Sequence, residues 1–218
     1  MQQAFNADEQ AMGAVLFVDV DNFKNLNDSL GHSMGDRYLL QLALRLESSV
    51  PDDGTIARIG GDEFVVLLNN LSAEPDQARF QVERITERVR EALTLPYRLA
   101  NHDYTGSFSI GVTQFQARNQ TWEDPLKRAD IALHEAKKAG RNTTRLFTAQ
   151  MQRNVEQKLE LESEVRRALA KAQFTLHYQP QVLEGEPVSS VEALIRWHHP
   201  EESWRGWSTC IRADSVLL

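Results

Sequence analysis

Hydrophobic positions follow two rhythms along this chain. The segment 14–20 is a nearly unbroken apolar run rich in valine, as expected of a central strand covered on both faces. Phe23 to Leu30 predicts a short helix, with Asp21 or Asn22 as its cap and Gly31 as its stop. From Gly35 to Ser48, Leu39, Leu40, Leu42, Ala43 and Leu46 mark a helical stripe, and Pro51 and Gly54 turn the chain. Thr55–Ile59 and Phe64–Leu68 read as strands paired across a Gly60-Gly61 turn. Glu74–Leu93 predicts an amphipathic helix with Phe80, Ile85, Val89 and Leu93 inward. Strands are expected at Tyr97–Asn101 and Ser107–Phe115, then a helix at Pro125–Ala139 ended by Gly140, then an edge strand at Arg145–Phe147.

That order predicts an α/β (α+β) sandwich, a mixed or antiparallel sheet flanked by helices. Gln150–Ala172 is helical and highly charged, with a thin stripe of Val155, Leu159, Val165 and Leu169. It reads as a linker helix. Phe174–Tyr178 and Ser189–Leu194 then read as the first strands of another domain. The expected organisation is a domain over 1–149, a helical linker over 150–172 and a fragment over 173–218.

Composition narrows the function classes. At 218 residues and 41% hydrophobic, the chain holds one full core and part of another. A net charge of -7 argues against non-specific nucleic-acid binding, yet leaves nucleotides open as ligands. Cys210 is the only cysteine, so an intrachain disulfide and a Cys-rich zinc site are excluded. The amino terminus does not read as a signal peptide, and no stretch reaches the roughly 18 apolar residues of a membrane span. A cytoplasmic protein, or a cytoplasmic piece of a larger one, is expected.

The candidate chemistry is acidic. Asp19 and Asp21 alternate at the end of the first strand, and Asp62 and Glu63 follow the Gly60-Gly61 turn. If the hairpin lies beside the first strand, Asp19 and Glu63 converge. Unpaired carboxylates gathered in this way favour a cation, and all-oxygen donors suit Mg²⁺ or Mn²⁺. The plain alternative is a turn carrying solvated acids. Nearby, Phe23 and Asn27 sit one helical turn apart, Asn27 has both donor and acceptor, and Asp36 offers acceptors to the N1–H and amino group of guanine. Core packing is the simpler role for Phe23, and a surface position for Lys24. His32 reads as a loop hydrogen-bonding residue rather than a metal ligand. Lys137 and Arg141 flank Gly140, where two cations can meet a phosphate or simply complement a helix dipole.

Asp19-Val20-Asp21-Asn22-Phe23-Lys24 through Asn27-Asp28, Gly31-His32, Gly35-Asp36 and Gly60-Gly61-Asp62-Glu63-Phe64 closely resembles the GGDEF family of diguanylate cyclases. The segment 128–142 resembles the closing helix of that family, with His134 where Tyr is common. The resemblance covers about residues 11–147. It implies synthesis of cyclic di-GMP from two GTP, across a head-to-tail homodimer, with metal held by Asp19, Glu63 and the Val20 carbonyl. Asp62 would assist metal binding or deprotonation. Asn27 and Asp36 would recognise guanine, Lys24, Lys137 and Arg141 would contact phosphates, Phe23 would shape the loop around them, and His32 would join the substrate-binding residues. The alternative is a catalytically silent GTP-binding or signalling module. Nothing before Ala14 matches the usual N-terminal helix, which is expected to be missing. Pro51 and Gly54 stand where the family's Arg-x-x-Asp product-inhibition motif lies, so feedback through that site is not expected.

Residues 174–181 and 191–200 resemble the start of an EAL phosphodiesterase domain, a metal-dependent TIM-like barrel. Glu192 would match an acidic metal ligand, and Gln179 and Arg196 substrate-side positions. An incomplete barrel fragment is expected. A complete barrel needs about 250 residues, so phosphodiesterase activity is not expected, and His198 and His199 lack partners for zinc.

Overall fold

The computed structural model describes residues 12–116, 121–181, 190–199 and 211–212. The chain divides into two compact units, Met1–Arg153 and Asn154–Leu218.

The first unit is built on β1 (Met12–Val20), whose residues from Gly13 onward are all buried. Two short helices follow, α1 (Phe23–Leu30) and α2 (His32–Ser49), then the hairpin of β2 (Thr55–Gly60) and β3 (Glu63–Leu71). Next come α3 (Pro75–Thr94), the small hairpin of β4 (Tyr97–Leu99) and β5 (His102–Tyr104), and β6 (Phe108–Gln116). The helix α4 (Glu123–Lys138) and β7 (Thr144–Leu146) complete a five-stranded sheet of order β2-β3-β1-β6-β7. It is mixed: β1 is antiparallel to both β3 and β6, and β7 is parallel to β6.

Alternation along β1 explains its apolar run. Ala14, Leu16, Val18 and Val20 join the core formed with α1, α2 and α3, while Val15 and Phe17 join the smaller core under α4. A strand covered on both faces has no polar side to show, so it reads as a continuous stripe.

Three local expectations change. The reversal between β2 and β3 is Gly61-Asp62, because Gly60 still pairs with Glu63 across a shifted register. Phe80 is 61% exposed, since the buried stripe of α3 runs through Ala78, Val82, Thr86, Val89 and Leu93. A residue two positions from Ala78 points to the opposite side of a helix. Leu40 of α2 is likewise exposed, whereas Leu39, Leu42 and Leu46 are buried.

The helix α5 (Ala149–Ala170) bears the expected charge, and Leu159 and Leu169 of its apolar stripe are exposed. In the second unit, β8 (Phe174–Gln181), β9 (Ser190–Trp197) and β10 (Ile211–Arg212) form a three-stranded sheet. Its strands are antiparallel, from Phe174↔Trp197 to Gln181↔Ser190 and at Ile211↔Ile195. The expected TIM-like-barrel fragment is thereby corrected: such a barrel is parallel, and this sheet shows no closure among the described residues. Residues 182–189 separate β8 from β9, fewer than the dozen or so that a parallel crossover requires.

Candidate functional site

The site is assembled at one end of the sheet from three stretches of chain. Asp19, near the end of β1, lies opposite Glu63, the first residue of β3. Directly opposed residues of antiparallel strands project to the same face, with Cβ atoms about 5 Å apart. The Val20 N–H donates to the Asp62 carbonyl at 3.4 Å and continues the contact into the turn. That turn is braced by Arg58, whose Nε and Nη2 donate to the Gly61 carbonyl at 2.8 and 2.6 Å.

The third stretch is the end of α4. The Gly140 N–H donates to the Lys137 carbonyl and the Arg141 N–H to the Ala136 carbonyl, a Schellman stop with Gly140 in the left-handed region. The last turn brings Lys137 to β1, where its Nζ stands 2.7 Å from Asp19 Oδ2. Arg141 is exposed just beyond the stop. Burial pushes the Asp19 carboxyl above its ordinary value of 3.8; the Lys137 hydrogen bond and charge pull it down, and the charges of Asp62 and Glu63 push it up again.

Asp21 does something else. β1 ends at Val20, so strand alternation no longer governs it. Its Oδ1 accepts from Ser109 Oγ at 2.7 Å and its Oδ2 from the Asn142 N–H at 2.9 Å. It ties β1 to β6 and to the loop after α4. The Asp-x-Asp pattern reveals two strand-end acids; that one is a brace follows from contacts 88 and 121 residues away. Arg58 and Asn142 were likewise missed, since neither belongs to an acidic or base-reading pattern.

A second cluster of candidate residues lies where α1 meets α2. A side-chain carbon on Gly35 would strike Asn27 Oδ1 and approach Phe23, so both α1 residues face the start of α2. Phe23 stacks with Tyr38 at 6.4 Å. Asn27 Oδ1 is buried and without a hydrogen-bond partner, a polar atom placed to receive a donor. Asp36 is exposed beside Gly35, Lys24 is exposed on α1, and His32 is the exposed first residue of α2 rather than part of a loop.

Among the described residues no group of three His, Cys, Asp or Glu side chains forms a ready metal cage. Magnesium is ordinarily held by one or two carboxylates plus water and phosphate, so the hard oxygens of Asp19 and Glu63 fit such an ion. The Lys137 ammonium already stands where a cation is favoured.

A mixed sheet flanked by helices, with an acidic turn at one end and a basic helix stop beside it, defines an α/β domain of the sandwich class. The chain belongs to the GGDEF family: residues 1–143 match the family model described as "Diguanylate cyclase, GGDEF domain". The domain is thus of the diguanylate-cyclase signalling type. That match ends at residue 143 and does not extend over the expected EAL-like segment. The chain is 40% identical over 202 residues to the bifunctional diguanylate cyclase/cyclic di-GMP phosphodiesterase MucR of Pseudomonas aeruginosa, covering 92% of this chain and 28% of that protein. It is 35% identical to the cyclic di-GMP phosphodiesterase PdeR of Escherichia coli, covering 90% and 29%. The chain therefore spans less than a third of the length of these relatives. Among solved structures, the GGDEF domain of TpbB (YfiN) from Pseudomonas aeruginosa superposes with a TM-score of 0.61 at 32% identity, covering 67% of this chain and 83% of that one. The GGDEF domain of DgcB from Caulobacter crescentus, in complex with c-di-GMP, gives 0.57 at 25% identity, covering 66% and 84%. No helix among the described residues is long and apolar enough to cross a membrane.

Proposed function

We propose that the domain over 1–149 condenses two GTP into cyclic di-GMP and releases pyrophosphate. The observation that carries this reading is the facing pair Asp19 and Glu63, with Lys137 against Asp19.

Each domain would bind one GTP. The orphaned Asn27 oxygen and the exposed Asp36 carboxylate read the donor edge of guanine, with Phe23 and His32 beside them. Lys24, Lys137 and Arg141 bind the phosphates, and Arg141 has the forked geometry suited to them. Asp19, Glu63 and the Val20 carbonyl would hold Mg²⁺ or Mn²⁺, which when bound neutralises charge on the transferring phosphoryl group. Asp62 adds a carboxylate beside the attacking hydroxyl and assists its deprotonation.

The 3′-oxygen of one GTP forms a bond to the α-phosphorus of the other, the bond to the β-phosphate oxygen breaks, and the hydroxyl proton is lost. A second such step closes the ring. Each reacting pair needs two nucleotides, so two domains must meet head to tail, and positioning supplies much of the rate.

The names of relatives support one further reading. PdeR is named as a phosphodiesterase alone, which favours a silent GTP-binding module that regulates something else. Protein supplied with GTP and Mg²⁺ separates the two. Cyclic di-GMP and pyrophosphate should accumulate, and Glu63→Gln should stop both while the unfolding curve stays within about 1 kcal/mol of the parent. GTP binding without product would leave the silent module standing.

A further inference from the structure

The Lys137–Asp19 ion pair joins two residues that the cyclase reading assigns to different ligands, one to phosphate and one to metal. The Lys137 side chain is 33% exposed and that of Asp19 7%, so a partly exposed cation reaches onto a nearly buried acid. Of the other charged groups at this end of α4 and β1, Arg141 is exposed beyond the helix stop and two are held elsewhere. Lys138 pairs with Glu135 at 2.7 Å, and both oxygens of Asp21 are taken by Ser109 and Asn142. Asp19 also feels the charges of Asp62 and Glu63. Three carboxylates therefore gather where Lys137 is the one ammonium paired with Asp19, a cluster that favours a further cation.

We propose that the Lys137 ammonium is a built-in counter-cation for Asp19, which it releases when a divalent metal binds and exchanges for a nucleotide phosphate. The inference rests on the cyclase reading above and adds a coupling to it. Lysine suits the exchange: its ammonium is a rotatable point charge on a flexible stem, without the fixed fork of arginine. Without nucleotide, metal must break a partly buried ion pair and leave the lysine beside a second positive charge. With a triphosphate present, the displaced ammonium finds a new anion. Metal and triphosphate therefore strengthen each other, and by linkage the effect is reciprocal.

The test is binding, read apart from turnover. Free Mn²⁺ is followed by its paramagnetic resonance signal during titration of the full chain, Lys137→Gln and Lys137→Arg, with and without a non-hydrolysable GTP analogue. Without nucleotide, Lys137→Gln should bind Mn²⁺ on the order of tenfold more tightly than the parent, because the competing cation is gone. Lys137→Arg, which keeps the charge, should bind as weakly as the parent. The gain in Mn²⁺ affinity on adding the analogue should be large in the parent and should shrink in Lys137→Gln. Equal or weaker Mn²⁺ binding by Lys137→Gln, with the parent still binding the ion, overturns the counter-cation role and leaves the cyclase reading intact. No Mn²⁺ binding by any form, with or without the analogue, overturns the metal reading and this inference with it.

Discussion

The Asp21 carboxylate accepts a hydrogen bond from the Asn142 backbone N–H at 2.9 Å, joining positions 121 residues apart. Its other oxygen is held by the buried Ser109 hydroxyl, so this acid fastens the end of β1 to β6 and to the segment that follows Lys137 and Arg141. The residue is 3% exposed. Asp21→Ala strands the buried Ser109 hydroxyl and the part-buried Asn142 N–H and should cost about 3 kcal/mol in urea unfolding, while Asp21→Asn, which retains one acceptor, should cost about half that. On the proposed cyclase reading, loss of GTP affinity should accompany both, because Lys137 and Arg141, proposed to bind phosphate, lose their anchor.

Gly35 is the point where α2 closes over α1, and an added Cβ would collide with Asn27 Oδ1. Gly35→Ala should push the two helices apart at a cost of about 1–3 kcal/mol. Calorimetry should then show GTP binding weakened by roughly tenfold or more, as a shift of this size is worth about 1.4 kcal/mol. Unchanged GTP affinity would remove Asn27 from the base-reading role.

Arg58 holds the Gly61 carbonyl of the β2–β3 turn with two donors while remaining exposed. Arg58→Ala should leave stability within about 0.5–1 kcal/mol, because an exposed contact contributes little. It should lower kcat by roughly tenfold, since a loosened turn misplaces Asp62 and Glu63. Arg58→Lys, a point donor without the fork, should fall between the two.

Burial raises the Tyr97 phenol from 10.0 to about 12 and raises Tyr38 as well. Between those two values the folded state keeps protons that the unfolded chain releases. Stability is therefore full below pH 10 and declines as pH rises toward 12, by up to about 1.4 kcal/mol per pH unit for each phenol. The Tyr38 hydroxyl is buried with no partner. Tyr38→Phe should therefore gain about 1 kcal/mol at neutral pH and flatten the alkaline decline, measured by denaturation between pH 8 and 12.

Much of the first unit was legible because local signals agreed with one another. The valine run of β1, the glycine stops after α1 and α4, and the paired strands around the acidic turn all appear close to their expected bounds. The errors fall where one-dimensional patterns are degenerate. Phe80 is a large apolar residue on a helix, yet the phase of that helix is set by which face meets the sheet. The turn slipped by one residue because Gly60 still pairs within the ladder. In the second unit, the same strands that resemble the start of a barrel pair as an antiparallel sheet, and strand direction depends on pairing partners that no short motif contains.

From its letters alone this chain declared an α/β domain with two acidic strand ends, because hydrophobic periodicity and glycine placement are local properties. It also carried the residue types that suit a metal and a guanine nucleotide. Tertiary structure decided which acid does what: Asp19 faces Glu63 and receives Lys137, whereas Asp21 spends both oxygens on the scaffold. The two acids stand two positions apart, and what separates their roles is the set of distant donors that folding brings within 3 Å of each.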